Sequence, residues 1–229
     1  MRVSHATKPQ PRVRIRRFTG GERTAHWLLA ASFGSMLATG VFMGGIGPLG
    51  HHLLLIVHVG SAVVLVVGLL VLIGLRRSRR PLVRTVRDLQ PIDASDRNWL
   101  LRAPKAYLTG GELPPAGRFN GGQKVNARLV LLLLIVLFVS GVGELGKRVS
   151  LFEPLRVLAG PHGLAAGAAA ALVAMHVYLG MIHPPTRASF RGITLGSVDR
   201  EWAEHHHGRW VADVDKEQRA EEASTPRAP

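Results

Sequence analysis

The sequence predicts an all-α integral membrane protein, a four-helix bundle with its N- and C-termini in the cytoplasm. Of its 229 residues, 47% are hydrophobic, and four apolar stretches approach or exceed the roughly 20 residues that a spanning helix needs. Because the bilayer core offers no water to the backbone, helices are the expected structure of these stretches. The formal net charge of +14 is concentrated outside them.

The four predicted spanning helices are Trp27–Ile46, Leu53–Leu75, Leu129–Leu145 and Gly160–Ile182. Their interior glycines are typical of membrane helices, which use small residues for close packing. Residues 1–25 are expected to form a basic arm and residues 26–183 the transmembrane domain, which includes a loop at 76–124. Residues 184–229 are expected to form a tail that is disordered near its end. The loop is expected to consist of turns with one short helix around Trp99–Leu108.

The distribution of basic residues predicts the orientation in the membrane. Seven Lys and Arg residues precede the first span and eleven lie between residues 76 and 124, whereas residues 47–52 contain none. Basic flanks lie in the cytoplasm, so both termini and the middle loop are expected on that side of a bacterial inner membrane. This topology accounts for most of the positive charge, and no nucleic-acid partner is expected.

Cysteine is absent from the sequence, whereas histidine occurs 11 times. The lack of cysteine excludes a disulfide scaffold, a cysteine-ligated zinc or iron–sulfur site and a thiolate nucleophile in this chain. The sequence also has no P-loop and no pattern of paired catalytic carboxylates, which disfavours substrate chemistry within the chain itself.

Four histidines lie inside or at the edge of the predicted spans, namely His26, His58, His162 and His176. Ionisable side chains are costly in a bilayer, so they usually face the bundle interior and mark a functional site. His162 and His176 are fourteen residues apart on one helix. This spacing places them on the same face with a rise of about 21 Å.

The helix directions give each histidine a partner in the same leaflet. His58 falls with His162 on the outer side, and His26 falls with His176 on the cytoplasmic side. Two axial imidazoles are the ligand set of a low-spin electron-transfer haem. The four residues therefore predict two haem iron sites, an outer and an inner one.

The remaining histidines have other interpretations. His51 and His52 are shallower alternatives to His58 as a ligand, and His183 is interpreted as a helix-end group. The run His205–His207 is interpreted as a solvated surface cluster, with a metal site as the alternative. Adjacent side chains on a helix point in different directions, which disfavours joint ligation of one ion.

Several motifs carry a resemblance to a known family. They are RTAHW at residues 23–27, LIVHVG around His58, RFNGGQK at residues 118–124, the segment from His162 to MHVYLG, and RASFRGITLGSVDREWAEHHHGRW at residues 187–210. With these motifs the chain resembles the gamma subunit, a di-haem cytochrome b, of membrane-bound respiratory formate dehydrogenases. The resemblance covers nearly the whole length.

The resemblance implies two haem b groups held by the four histidines. His58 and His162 would be the axial ligands of the outer iron, and His26 and His176 those of the inner iron. This is the same pairing that the topology predicts.

The resemblance also implies a quinone site beside the inner haem, for menaquinone or ubiquinone. Its residues would be Asn120, Gly122, Gln123 and His176. The segment RFNGGQK supplies amide donors at the cytoplasmic boundary, where a quinone carbonyl is hydrogen-bonded and protonated. The alternative is that RFNGG is only a turn that starts the third span.

The implied role is an electron-transfer subunit of a formate:quinone oxidoreductase, with no catalytic residues for formate oxidation. Since the chain lacks cysteine, iron–sulfur clusters would belong to a beta subunit, and formate chemistry to a catalytic alpha subunit. Membrane lipid and quinone are the other expected partners. A higher oligomer of the complex is left open.

Three alternatives remain from the sequence. A related cytochrome b of a hydrogenase or a thiosulfate/polysulfide reductase would share the haem geometry and differ in its partners. A cofactor-free membrane anchor or transporter would be colourless when purified. A histidine-metal membrane oxidase would need several histidines at one depth, whereas these four divide between the two leaflets.

Reporter fusions test the predicted topology. An enzyme that is active only in the periplasm should be inactive when fused after Pro229 or near Asp96, and active when fused near Gly47. Activity after Pro229 would place the C-terminus outside and would contradict the pairing of histidines by leaflet.

Overall fold

The computed structural model describes residues 13–43, 47–109, 111–147 and 149–224 of the chain. In chain order the elements are β1 (Arg14–Arg16), α1 (Gly20–Phe42), α2 (Pro48–Gly74), α3 (Arg76–Leu89), α4 (Ala94–Thr109), α5 (Gly121–Gly146), a 3-10 helix (Ser150–Leu158), α6 (His162–Val177), a π-helical turn (Tyr178–Ile182), α7 (Ser189–Leu195), β2 (Ser197–Asp199) and α8 (Arg200–Ser224).

Four helices are long and apolar enough to cross a membrane, which confirms the predicted all-α fold with four spans. They are Gly20–Phe42, Leu49–Gly74, Gly121–Gly146 and His162–Ile182. We call the end of this bundle that carries β1, α3, α4, α7 and α8 the basic end, and the opposite end the far end. α1 and α5 run from the basic end to the far end, and α2 and α6 return.

Three of the spans begin earlier than predicted. α1 begins at Gly20 where the prediction has Trp27, and the second span begins at Leu49 where the prediction has Leu53. α5 begins at Gly121, about two turns before the predicted Leu129, because a capping box at Asn120 starts the helix before its apolar part begins. α1 ends at Phe42, and residues 44–46 of the predicted first span lie outside the described residues.

The spanning helices pack as two antiparallel hairpins, α1 with α2 and α5 with α6. Gly68 lets α1 approach closely, since a Cβ there would lie 2.6 Å from Cδ2 of Leu28. The Ser35 and Ser61 hydroxyls meet 2.8 Å apart in the first hairpin. Such small and hydroxylated residues are the usual contacts between helices in a membrane.

The segment at residues 76–124 is more ordered than expected. It forms two helices, α3 and α4, and only the second of them contains the predicted helix around Trp99–Leu108. α4 begins at a reciprocal cap, in which Asp93 Oδ1 accepts from the Asp96 amide at 2.8 Å and Asp96 Oδ2 accepts from the Asp93 amide at 3.0 Å. The expectation of turns with a single helix was therefore wrong.

The residues before the first span pack against the tail. Ile15 of β1 pairs with Val198 of β2 in a short antiparallel ribbon, which the prediction had not included. Ile15 and Val198 are buried with Ala203, Trp210 and Val211 in a small core. The tail is helical as far as Ser224, while residues 1–12 and the predicted disordered end at 225–229 lie outside the described residues.

His207 is buried in this region and is not the solvated residue that the sequence predicted. Its Nδ1 bonds the Gly117 carbonyl at 2.8 Å, and Arg17 Nη2 lies 3.0 Å from its Nε2. Burial, followed by the nearby Arg17 guanidinium, holds the pKa of His207 well below its usual range. The neutral ring therefore accepts from Arg17 and donates to Gly117, which fixes the tail against the loop before α5.

Arg118 connects three elements at the basic end. Its guanidinium donates to Glu22 of α1 at 2.5 Å, to Asp88 of α3 at 3.1 Å and to the Arg17 carbonyl at 3.0 Å. Thr85 of α3 donates to the same Glu22 carboxylate. Arg118 and Glu22 are nearly buried, so the start of α1 is held in register with α3 and with the segment before α5.

A second buried ion pair joins α5 to α4. Lys124 Nζ lies 2.6 Å from Asp96 Oδ2 and also donates to the Pro91 carbonyl at 3.0 Å. Both side chains are less than one-tenth exposed. Removing one partner of such a pair leaves a buried charge uncompensated.

Lys124→Met should lower the free energy of unfolding by about 3–5 kcal/mol because it strands the Asp96 carboxylate. Lys147→Met is the matched control, since Lys147 at the other end of α5 pairs with Glu144 at the surface. Its effect should stay below about 1 kcal/mol. Circular dichroism of unfolding in detergent measures both. Equal losses in the two variants would contradict a special role for the buried pair.

Candidate functional site

The four histidines singled out from the sequence meet in two pairs. The ring centroids of His26 and His176 are 6.1 Å apart, and those of His58 and His162 are 6.2 Å apart. The first pair lies towards the basic end and the second towards the far end. α6 contributes one histidine to each pair, and its regular helix between them separates the pairs by about 21 Å.

The separation within each pair fits two imidazoles that bind one metal from opposite sides. A metal–imidazole bond of about 2.1 Å, with the ring centroid roughly 1.1 Å behind the nitrogen, places the two centroids about 6.4 Å apart. Both pairs match this distance to within a few tenths of an ångström. The donor set is imidazole alone, which haem iron accepts and which suits electron transfer.

At the far end, the Nδ1 atom of each imidazole ring already has a hydrogen-bond partner. His58 Nδ1 lies 3.0 Å from Thr39 Oγ1, and His162 Nδ1 lies 2.9 Å from Ser140 Oγ. Nε2 of each ring is the nitrogen left for an iron atom. The far-end pair therefore has both the spacing and the free nitrogens that a haem requires.

The alternative ligands His51 and His52 lie about two turns before His58 on α2. The Nδ1 atom of His51 lies 3.2 Å from the carbonyl oxygen of Met43, at the end of α1, and His52 is exposed. His58 is the residue of α2 that faces His162. Within the part of the chain that the structure describes, no three His, Asp or Glu side chains are placed to hold a metal ion, and this includes the tail run His205–His207.

The predicted quinone residues stand at the start of α5. Asn120 Oδ1 accepts from the Gln123 amide at 2.9 Å, and Gln123 Oε1 accepts from the Asn120 amide at 3.1 Å. This capping box uses the oxygen of each side-chain amide, so each NH2 group remains as a donor. Gly122 lies under the Trp99 ring, where a Cβ would come within 2.8 Å of Cζ3. The motif thus has a structural role in starting α5 and seating α4.

An aromatic cluster extends from Trp99 to His183, which follows the π-helical turn. The Tyr107 ring centroid lies 6.3 Å from that of Trp99 and 5.3 Å from that of His183. His183 Nδ1 lies 3.1 Å from Thr186 Oγ1. Burial raises the pKa of Tyr107, so its phenol stays protonated and able to donate. The sequence pattern predicts no role for Tyr107 and indicates only a helix-end group at His183.

The π-helical turn at Tyr178–Ile182 determines where His183 points. Seven residues of regular helix would place His183 beneath His176 on the same face. A π turn contains one residue more than an α turn and rotates the residues after it by roughly 100°. His183 is consequently turned away from the face of His176 and meets Tyr107. π turns of this kind are frequent at functional sites.

The antiparallel packing of α5 and α6 relates the depth of these residues. Ser140 of α5 contacts His162 of α6. A residue that precedes Ser140 by a given number of positions therefore lies at the same depth as the residue that follows His162 by that number. Asn126 is then level with His176, and Asn120 is within one turn of the level of His183. The amides of α5, the aromatic cluster and the ligand candidate His176 therefore share one region at the basic end.

The hydroxyl partners Thr39 and Ser140 were not identified from the sequence. Each is followed by a glycine, Gly40 or Gly141, that lies against the same imidazole ring. The recurrence of a hydroxyl–glycine pair in the first and third spans was the available signal. It was weak because both residue types are common in any membrane helix.

Several characterised proteins are similar to this chain in sequence. The cytochrome b556(Fdn) subunit of the nitrate-inducible formate dehydrogenase of Escherichia coli (strain K12) is 29% identical over 135 residues, which is 57% of this chain and 61% of that subunit. The chain thus spans about three fifths of the length of that relative. The cytochrome b556(fdo) formate dehydrogenase subunit of the same strain is 26% identical over 219 residues, 88% of this chain and 94% of that subunit.

Residues 17–196 match the family model described as prokaryotic cytochrome b561, a segment that contains all four paired histidines and makes up most of the chain. A cytochrome of b type carries haem b, and imidazole is a haem-iron ligand. On the match, the spanning helices and the two histidine pairs, this chain belongs to the prokaryotic cytochrome b561 family.

Proposed function

We propose that the chain carries electrons through the membrane from a formate dehydrogenase to quinone. The observation that carries the proposal is the presence of two histidine pairs, each at the separation of a bis-imidazole iron site, about 21 Å apart along α6. The electron donor in this proposal is inferred from the relatives, which are named as formate dehydrogenase cytochrome subunits.

His58 and His162 would hold one haem b and His26 and His176 the other. When bound, haem b supplies reversible one-electron oxidation and reduction of its iron. The chain carries both imidazoles of each pair on helices, which would hold the ligands in place in both oxidation states. In the proposed orientation the basic end lies in the cytoplasm, with His26 and His176 at the inner site.

Quinone would bind at the basic end, in the region shared by α5, α4 and His176. The side-chain NH2 groups of Asn120 and Gln123 are donors for a quinone carbonyl, and Gly122 forms the backbone between them. Reduction to quinol would consume two electrons and two protons, the protons coming from cytoplasmic water. Tyr107 and His183 contact each other at about the depth of Asn120, and each carries an exchangeable proton.

Formate oxidation would belong to partner subunits. The chain has no cysteine, so iron–sulfur clusters that connect the donor to the far-end site must be held by a beta subunit. A catalytic alpha subunit would oxidise formate, and the far end, which we place outside, would face both partners. The chain is then a multi-pass inner-membrane subunit that reduces quinone and performs no formate chemistry itself.

Purification of the tagged chain with its native partners tests this proposal. The complex should contain two haem b per copy of the chain, both low-spin, and formate should reduce both. A colourless preparation would reject the haem role, whereas a haem-containing complex that formate does not reduce would reject only the donor.

His58→Ala should remove one haem and abolish formate-to-quinone turnover, while added quinol still reduces the remaining one. His176→Ala should remove the other haem and block quinone reduction. His205→Ala, in the exposed part of the tail, is the control and should retain both.

Asn120→Ser tests the quinone site without removing the helix cap. Serine keeps an oxygen that caps α5 but lacks the amide donor, so haem content should stay at two. Quinone reduction should fall roughly five- to tenfold, the effect of losing one hydrogen bond. Asn98→Ser, an exposed position on α4, is the control. Unchanged turnover and unchanged binding of a quinone analogue in Asn120→Ser would restrict RFNGGQK to its structural role.

A further inference from the structure

The far-end histidine pair has a support that is repeated in the two helical hairpins. Thr39 of α1 contacts His58 of α2 at 3.0 Å, and Ser140 of α5 contacts His162 of α6 at 2.9 Å. In each hairpin the first helix supplies a hydroxyl and the second supplies the imidazole. The far-end site is therefore built almost symmetrically from the two hairpins.

The hydrogen of each hydroxyl is already used in a hydrogen bond to a backbone carbonyl. Thr39 Oγ1 donates to the Ser35 carbonyl at 2.8 Å, and Ser140 Oγ donates to the Val136 carbonyl at 2.6 Å. A hydroxyl has a single hydrogen, so it meets the histidine Nδ1 as an acceptor. Each Nδ1 must then carry the proton, which leaves the lone pair on Nε2.

These contacts lie in a dry part of the bundle. Ser140 is 1% exposed and Thr39 is 7% exposed, so water does not compete for their lone pairs. The basic-end pair is different: across residues 13–43, 47–109, 111–147 and 149–224, no side-chain hydroxyl is hydrogen-bonded to the ring of His26 or His176. The two pairs have the same spacing but different support behind their rings.

We infer that Thr39 and Ser140 are positioning residues that fix the tautomer of His58 and His162 and lower the reduction potential of the outer haem. This inference rests on the proposed function. An acceptor behind Nδ1–H draws the proton outward and makes the imidazole a more basic ligand. A more basic ligand stabilises the ferric state and disfavours reduction of the iron. The inner site lacks this contribution, so the hydroxyls favour passage of electrons from the outer to the inner site.

Redox titration of the purified complex in the reduced-minus-oxidised spectrum tests the inference. The spectral component that disappears in His58→Ala identifies the outer haem. Thr39→Val and Ser140→Ala should each raise the ferrous-to-ferric ratio of that component about fivefold at fixed ambient potential, or about 40 mV at 59 mV per tenfold. The inner component should not move. Thr39→Ser and Ser140→Thr restore the hydroxyl and should return the outer potential to its original value.

Ser61→Ala is the matched control, because Ser61 lies one turn after His58 on α2 and bonds Ser35 and the Val57 carbonyl, not an imidazole. An equal shift in Ser61→Ala, or no shift in Thr39→Val and Ser140→Ala with both haems present, overturns the inference. If Thr39→Val loses the outer haem, its return in Thr39→Ser supports the inference, and its absence there overturns it. Lack of haem in the unaltered complex would instead reject the proposed function.

Discussion

The absence of water in a hydrocarbon layer is the constraint on which this architecture depends. A polar group inside the bundle must find its partner within the protein, since an unsatisfied one costs several kcal/mol. The Thr39 and Ser140 hydroxyls meet this requirement by donating to their own helices and accepting from histidines. The same constraint places the formal charges of the described residues largely at the helix ends, where ion pairs such as Arg118–Glu22 hold the elements together.

The ion pairs at the basic end set the geometry of the membrane site. Glu22 belongs to the first turn of α1, one helical turn before His26, and Arg118 ties it to α3. Lys124 ties α5 to α4, which carries Trp99 and Tyr107. A change at these pairs would therefore alter the approach of α1 and α4 to the region of His26 and Asn120. The RFNGGQK segment contributes Arg118, a helix cap and Lys124 within seven residues, which explains its dense use of polar groups.

Apolar length and charge bias were sufficient to predict the four spans, because both are local properties of the sequence. Helix direction and helical periodicity were sufficient to predict which histidines meet, and the structure brings those residues together. The role of His207 was predicted wrongly because its burial depends on Arg17, 190 positions away. His183 does lie at the end of the π turn, as the prediction of a helix-end group has it, but its contact with Tyr107 of α4 joins distant parts of the chain and has no local signal. α3 was missed because the mixture of Pro, Gly and charge in residues 76–124 was interpreted as turns, although Leu82, Val86 and Leu89 recur at helical spacing.

The regular helix between His162 and His176 has an electrical consequence. Its rise of about 21 Å is roughly two thirds of a hydrocarbon core about 30 Å thick. In the proposed function, an electron that passes between the two pairs crosses that fraction of the membrane voltage, worth about 1.6 kcal/mol for each 100 mV. With the cytoplasm negative, each 100 mV shifts the electron back towards the outer pair by a factor of roughly 15. The spacing of two histidines on one helix thus makes the distribution of electrons in this protein sensitive to the energised state of the membrane.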